Sequence, residues 1–197
     1  MSARSPRRRR KKKAEKLRAH LVFLDESGFL LIPNVLRTWA PRGKTPVLRC
    51  PYKRNKISAI SAISVSPNRK RIALYARFHP DKNIKSPEVV EFLHHLLKQL
   101  RGPVVLLWDG GRPHTGVEAK EFIRKHPRLS CYRFPGYAPE LNPDEFIWYS
   151  LKRALSNSVP RDLCHLKHLL HSPLQRVRQS QKMLWSCIYA SELPWRK

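Results

Sequence analysis

Acidic residues are scarce. The 197-residue chain has 14 Asp and Glu against 40 Lys and Arg, a formal net charge of +26. A balance this one-sided calls for a polyanionic partner. Nucleic acid is the default, because Lys and Arg displace the counterions condensed on phosphates. An acidic membrane surface is the competitor, but no amphipathic anchor helix stands out. Long apolar runs are missing too. The longest, Leu21 to Leu24 and Val104 to Trp108, fall far short of the roughly 18 residues of a membrane span. No apolar stretch follows the basic N-terminal residues, which excludes a signal peptide. The four cysteines, Cys50, Cys131, Cys164 and Cys187, are widely separated and form no C-x-x-C pair. That argues against a zinc ribbon or a disulfide scaffold and fits a reducing, intracellular compartment. Internal repeats are also absent.

What is present is a folding chain. Hydrophobic residues make up 41% of it, too many for a disordered polycation, and a chain of this length buries roughly 70% of its unfolded surface. Residues 1–20 form a basic tail holding Arg7, Arg8, Arg9, Arg10, Lys11, Lys12 and Lys13 in one run. Such a run repels itself and is expected to be disordered without a partner. A folded domain is expected over 21–157 and a peripheral helical extension over 158–197.

Within that domain, Leu21 to Leu24 reads as a buried strand ending at Asp25, and Val35 to Ala40 as a second strand. Residues 56–65 and 71–78 alternate and flank a Ser66-Pro67-Asn68 turn, which predicts a hairpin. Ser86-Pro87-Glu88 predicts a helix start with Ser86 as cap. Its apolar face runs from Val89 to Leu100, and Gly102-Pro103 stops it. Val104 to Trp108 is an apolar strand ending at Asp109. A helix over 117–125, a strand over 129–134, a loop over 135–143 and a helix to about Ser156 follow. The order predicts an α/β fold: a mixed sheet, antiparallel hairpin plus parallel strands, with helices on both faces. Ribonuclease H-like folds have that arrangement.

Three acids occupy costly places. Asp25 and Asp109 each end an apolar strand, where open α/β sheets bind ligands. Glu145 sits in the first turn of the last core helix, a position the helix dipole favours. Three carboxylates converging on one sheet edge would repel one another. A divalent cation resolves the conflict, and oxygen ligands suit Mg²⁺ or Mn²⁺. Two such ions suit phosphoryl transfer.

The residues also carry a resemblance. Leu24-Asp25-Glu26-Ser27-Gly28-Phe29, Thr38-Trp39-Ala40-Pro41-Arg42-Gly43, Leu107-Trp108-Asp109-Gly110-Gly111-Arg112-Pro113-His114 and Pro135-Gly136-Tyr137-Ala138-Pro139-Glu140-Leu141-Asn142-Pro143-Asp144-Glu145 follow in order. Together they resemble the DDE-type transposases, specifically the bacterial insertion-sequence branch of the mariner-like superfamily, over about residues 20–157. The resemblance implies Asp25, Asp109 and Glu145 as catalytic, metal-binding acids with two Mg²⁺ or Mn²⁺ ions. It implies nicking of transposon ends and 3′-hydroxyl strand transfer into target DNA, by a homodimer on DNA in the bacterial cytoplasm, nucleoid-associated and without a membrane partner. Sequence recognition would come from an upstream helix-turn-helix partner or fused frame, since residues 1–20 are too short and too charged for such a module. Two rivals stand beside this reading: a non-catalytic nucleic-acid-binding remnant and a ribonuclease H-like nuclease. The chain departs from the family at Asp144, where an apolar residue is usual, and at Gly110-Gly111.

Adjacent helical residues point about 100° apart, so only one of Asp144 and Glu145 can face a metal well; the motif's phase favours Glu145. Glu26 should point away from Asp25, into a salt bridge or solvent. His114 is a possible accessory group that orients a water, a phosphate or a neighbouring acid, or simply packs. Asn142 is a second possible accessory group, and with Pro143 it sets the helix start. Trp39 and Trp148 read as packing groups. Cys164, His165, His168 and His171 read as half-buried helix surface. Arg42, Lys44, Arg112 and Lys152, with the tail, are candidate phosphate contacts.

Overall fold

The computed structural model describes residues 18–50 and 54–195. Five strands form one sheet: β1 (His20–Leu30), β2 (Lys56–Val65), β3 (Ile72–Pro80), β4 (Val104–Trp108) and β5 (Leu129–Arg133). Their spatial order is β3-β2-β1-β4-β5. The β1–β2 and β2–β3 pairs are antiparallel, whereas β1–β4 and β4–β5 are parallel. Six helices surround the sheet: α1 (Ser86–Gln99), α2 (Arg112–Thr115), α3 (Val117–Lys125), α4 (Pro143–Ala154), α5 (Leu163–Gln179) and α6 (Gln181–Ala190).

Strand alternation sends successive side chains to opposite faces, and β1 is apolar on both. Val22 and Leu24 pack with Val89, Phe92 and Leu93 of α1. Leu21 and Phe23 pack on the other face with Trp148 and Leu151 of α4 and with Leu170 and Leu184 of α5 and α6. A central strand covered on both sides reads as a continuous hydrophobic run, as Leu21 to Leu24 does.

Four expectations need correction. First, Val35 to Ala40 is no strand; 33–40 has no regular structure, and Val35 and Trp39 are 71% and 99% exposed. No strand edge lies beside it. Its backbone is held instead by Asn157, which accepts from Leu36 N at 3.0 Å and donates to Leu36 O at 3.1 Å. Trp39 therefore packs on nothing.

Second, β1 does not end at Asp25 but runs on to Leu30, paired there with β2 alone. The β1–β4 ladder stops at Phe23 and Leu107. Third, Lys85, not Ser86, caps α1, and the Glu88 carboxylate accepts the Lys85 N–H at 3.1 Å. Ser86 is wedged against Gly116, where any Cβ would lie 2.3 Å from its hydroxyl.

Fourth, the C-terminal helices are not peripheral. Leu166, Leu170, Leu174, Val177, Leu184 and Ile188 are buried in the same cluster as β1 and α4. Gln181 also closes the outer edge of β3. Its side-chain amide accepts from Ile72 N at 3.0 Å and donates to Ile72 O at 2.7 Å.

Candidate active site

Strand register builds the site. Continued two residues beyond its last pair, the parallel β1–β4 register sets Asp25 level with Asp109. Neighbouring strands lie about 4.8 Å apart, so the two acids share one edge of the sheet. Because β4 ends at Trp108 while β1 continues, Asp109 is free to turn into the crevice beside β1. On the other side of β1, Asp25 pairs across the ladder with Ser61.

The third element is α4. Asn142 caps it, its side-chain oxygen accepting from Asp144 N at 3.2 Å. The amide of the same side chain donates to Leu24 O at 3.4 Å, fastening the helix start to β1 one residue before Asp25. Trp148, one turn further on, donates its indole N–H to Asp25 Oδ2 at 3.0 Å.

The two adjacent acids of α4 separate cleanly. Asp144 is fully buried and accepts from Ser61 Oγ at 2.8 Å, while its Oδ1 has no partner. Burial first, then the charge of Asp25, raises its carboxyl well above the ordinary range. The buried Asp144 carboxyl is thus biased toward its protonated form. Glu145 is exposed. Its charge is the strongest neighbouring influence on Asp25.

Burial, then the charges of Glu145, Glu26 and Asp109, pushes the Asp25 carboxyl up to about 8. That is the electrostatic conflict expected of crowded carboxylates: one stays protonated unless a cation arrives. Asp109 behaves oppositely. The hydrogen bond from His114 outweighs burial and, with the Gly111 N–H, holds it below the usual carboxylate range. Its Oδ1 receives both His114 Nδ1, at 2.6 Å, and Gly111 N, at 2.8 Å. A Cβ at Gly111 would lie 2.9 Å from that oxygen, so any side chain there would push the Asp109 carboxylate aside.

His114 is buried, stacked on Trp108 with ring centroids 4.4 Å apart, and its Nε2 meets Glu26 Oε1 at 2.8 Å. Burial alone would lower its pKa, but the hydrogen bonds to Asp109 and Glu26 prevail and push it up to about 10. Glu26, Asp109 and His114 offer ligand atoms within 4.8 Å of one another. His114 bridges the two carboxylates through its two ring nitrogens, so the trio is held together as an ion triad. It orients Asp109 from the face of β1 opposite Asp25.

The structure sets Asp109 and Glu145 within electrostatic reach of Asp25 and places Asn142 and His114 beside them. Among the described residues, the ligand atoms that lie within 4.8 Å of one another are those of Glu26, Asp109 and His114, not those of the three acids. Of the candidate phosphate contacts, Arg112 is exposed three residues after Asp109, and Lys152 lines a groove with Gly28, Leu30 and Leu155. Arg42 and Lys44 are exposed on the 33–50 segment. None of the four is ion-paired among the described residues. Arg7 to Lys13 lies outside the described residues. Sequence reasoning missed Ser61 and the indole donor of Trp148; the one available signal was a hydroxyl set in the apolar run of β2. Among the described residues, no metal cluster forms from Cys164, His165, His168 and His171, and His165 Nδ1 instead accepts from Arg161 N at 3.2 Å.

The fold is similar to that of mariner transposases. A Mos1 strand transfer complex aligns with a TM-score of 0.65 at 15% identity, covering 96% of this chain and 59% of that one. The mariner Mos1 paired-end complex with Mg aligns at 0.64 and 15%, covering 96% and 62%. The catalytic domain of Mos1 mariner transposase alone aligns at 0.58 and 13%, covering 96% and 89%. The chain spans about 60% of the length of the transposases in the two complexes. At this identity the likeness establishes the ribonuclease H-like fold expected from the sequence. No curated protein matches the chain. The family model described as DDE superfamily endonuclease matches residues 20–167, and the chain belongs to that family.

Proposed function

We propose that the chain is the catalytic domain of a DNA transposase that nicks transposon ends and joins the freed 3′-hydroxyl to target DNA. One observation carries the reading furthest: Asp25 on β1 and Asp109 just past the end of β4 fall level when the parallel register is continued, and Glu145 is the charge that acts most strongly on Asp25. Crowded acids beside a chain of net charge +26 fit a site that gathers phosphates and metal together.

Asp25, Asp109 and Glu145 would hold Mg²⁺ or Mn²⁺, two ions in the finer form of the reading. The donor set fits: all-oxygen and hard, with the charges of Glu145, Glu26 and Asp109 adding to burial in pushing Asp25 toward its protonated form. When bound, such ions supply Lewis acidity toward the scissile phosphate and its attacking oxygen. The chain's own residues prepare the place. His114 and Gly111 fix one oxygen of Asp109. Trp148 fixes Asp25, and Asn142 ties the Glu145 helix to β1. Arg112 and Lys152 are placed to receive flanking phosphates. The Arg7 to Lys13 run adds sequence-independent grip on DNA.

The Mos1 relatives are paired-end and strand transfer complexes, prepared with Mg or Mn in some cases. By analogy this chain would act as a homodimer on DNA, in the bacterial cytoplasm at the nucleoid. Its specificity for ends would come from an upstream helix-turn-helix partner or fused frame. The test is nicking of a labelled transposon-end duplex with Mg²⁺ or Mn²⁺. Activity lost in EDTA supports the reading, and full activity in excess EDTA sinks it.

A further inference from the structure

Charge is distributed unevenly along the sheet axis. The starts of β1, β4 and β5 and the β2–β3 turn lie together at the end opposite the carboxylates. His20 N donates to Pro103 O and Val104 N to Arg128 O, while Gln181 brings the start of α6 to Ile72. Segments 18–24, 66–72, 98–104 and 176–183 hold no Asp or Glu. Exposed cations crowd there instead: Arg18, Lys70, Arg71, Lys98, Arg101 and Lys182. The described carboxylates lie elsewhere, at the far end of the sheet, on the leading halves of α1 and α3, or at the start of α5 and the end of α6.

This end is rigidly built. The Arg69 guanidinium donates to Ala19 O and Ser66 O, both at 3.2 Å. Arg128 donates to Leu100 O at 2.7 Å, to Gly102 O at 2.9 Å and to Leu97 O. These bonds lock the hairpin turn to the β1 start and α1 to β5, so the cations stand on a preformed face. No exposed large hydrophobic residue lies in these segments among the described residues. A membrane surface needs apolar residues to insert; phosphate contacts need only the charge. The carboxylates lie about 17 Å away along β1 by strand rise.

We infer that this end of the sheet is a second docking face for duplex DNA, gripping phosphates of a segment other than the one at the carboxylates. The inference rests on DNA being the partner but not on the catalytic assignment.

The experiment measures binding of the full chain to a non-specific duplex between about 0.05 and 0.2 M salt. The variant is Lys70→Gln/Arg71→Gln/Lys98→Gln/Arg101→Gln. The control neutralises four scattered exposed cations, Lys82→Gln/Lys120→Gln/Arg161→Gln/Lys167→Gln. Four phosphate contacts account for a slope of roughly 3–4 in log K against log salt. The cluster variant should flatten the slope by roughly 2–4 and the control by less than one. Swapping Lys for Arg and Arg for Lys at the same four positions should keep the slope. Equal slopes for the cluster and control variants overturn the inference, as does retention of DNA binding with loss of binding to anionic lipid vesicles. Nicking at low salt and saturating protein is read alongside. Its survival in a cluster variant with a flattened slope separates this face from the carboxylate site.

Discussion

The indole N–H of Trp148 donates to Asp25 Oδ2 at 3.0 Å, joining the helix that carries Glu145 to the strand that carries Asp25. Trp148 also packs edge-on against Phe29, 5.9 Å between centroids. Trp148→Phe should keep much of that packing and lose the donor, costing about 1 kcal/mol for the lost hydrogen bond. With Asp25 less well fixed, the Mg²⁺ concentration for half-maximal nicking should rise several-fold. An unchanged Mg²⁺ midpoint with only lowered stability would reduce Trp148 to packing.

Asp144 and Glu145 should respond in opposite ways. Asp144 is buried, bonded to Ser61 and biased toward its protonated form, so Asp144→Asn preserves its shape and removes little. It should keep nicking within about tenfold, whereas Glu145→Gln should abolish it while leaving thermal stability near wild type. The reverse pattern would move the third acid by one position.

Much of this was legible in the sequence. Apolar runs, the Ser66-Pro67-Asn68 turn and Asn142-Pro143 located β2 to β5, the hairpin and the start of α4 within a residue or two, whereas β1 runs five residues past its expected end. Motif phase favours Glu145 over Asp144, and the structure leaves Glu145 exposed and Asp144 buried, while strand alternation put Glu26 on the face away from Asp25. The failures share a cause. The Val35 to Ala40 run has strand-like residues but no neighbouring edge to pair with. Ser86 looks like a cap, but its place is set by contact with Gly116, thirty residues on. The integration of α5 and α6 into the core and the Trp148 donor are tertiary contacts, which local pattern does not encode.

Stability without divalent cation should fall as pH rises. Asp25 moves from 3.8 to about 8 on folding, so the native state keeps a proton that the unfolded chain has lost. Its contribution is full below 3.8 and is lost on the way to about 8. His114, raised from 6.5 to about 10, contributes fully below 6.5 and loses that contribution through about 10. Urea unfolding in EDTA should therefore weaken from about pH 5 to about pH 8. For Asp25 the loss is on the order of a few kcal/mol, at about 1.4 kcal/mol per pKa unit. Asp25→Asn should flatten that fall, and Mg²⁺ should restore wild type at the higher pH. Parallel curves for wild type and Asp25→Asn would remove the electrostatic account of the site.

DNA binding by this chain alone should be tight and nearly indifferent to sequence. Its proposed contacts are phosphates, and the end-reading module is assigned to a partner or fused segment. Competition between transposon-end and scrambled duplexes at about 0.15 M salt should give a preference below tenfold. A thousandfold preference would place the recognition module within these 197 residues.

The central claim is that Asp25, Asp109 and Glu145 act as one metal-holding set. The direct measurement is Mg²⁺-dependent nicking of a transposon-end duplex by wild type, Asp25→Asn, Asp109→Asn and Glu145→Gln, each matched for DNA affinity and thermal stability. Each variant removes one charge with little change in volume. All three should lose at least a thousandfold in rate, about 4 kcal/mol of barrier, while binding DNA as wild type does. Near wild-type nicking by any one of them would contradict the claim.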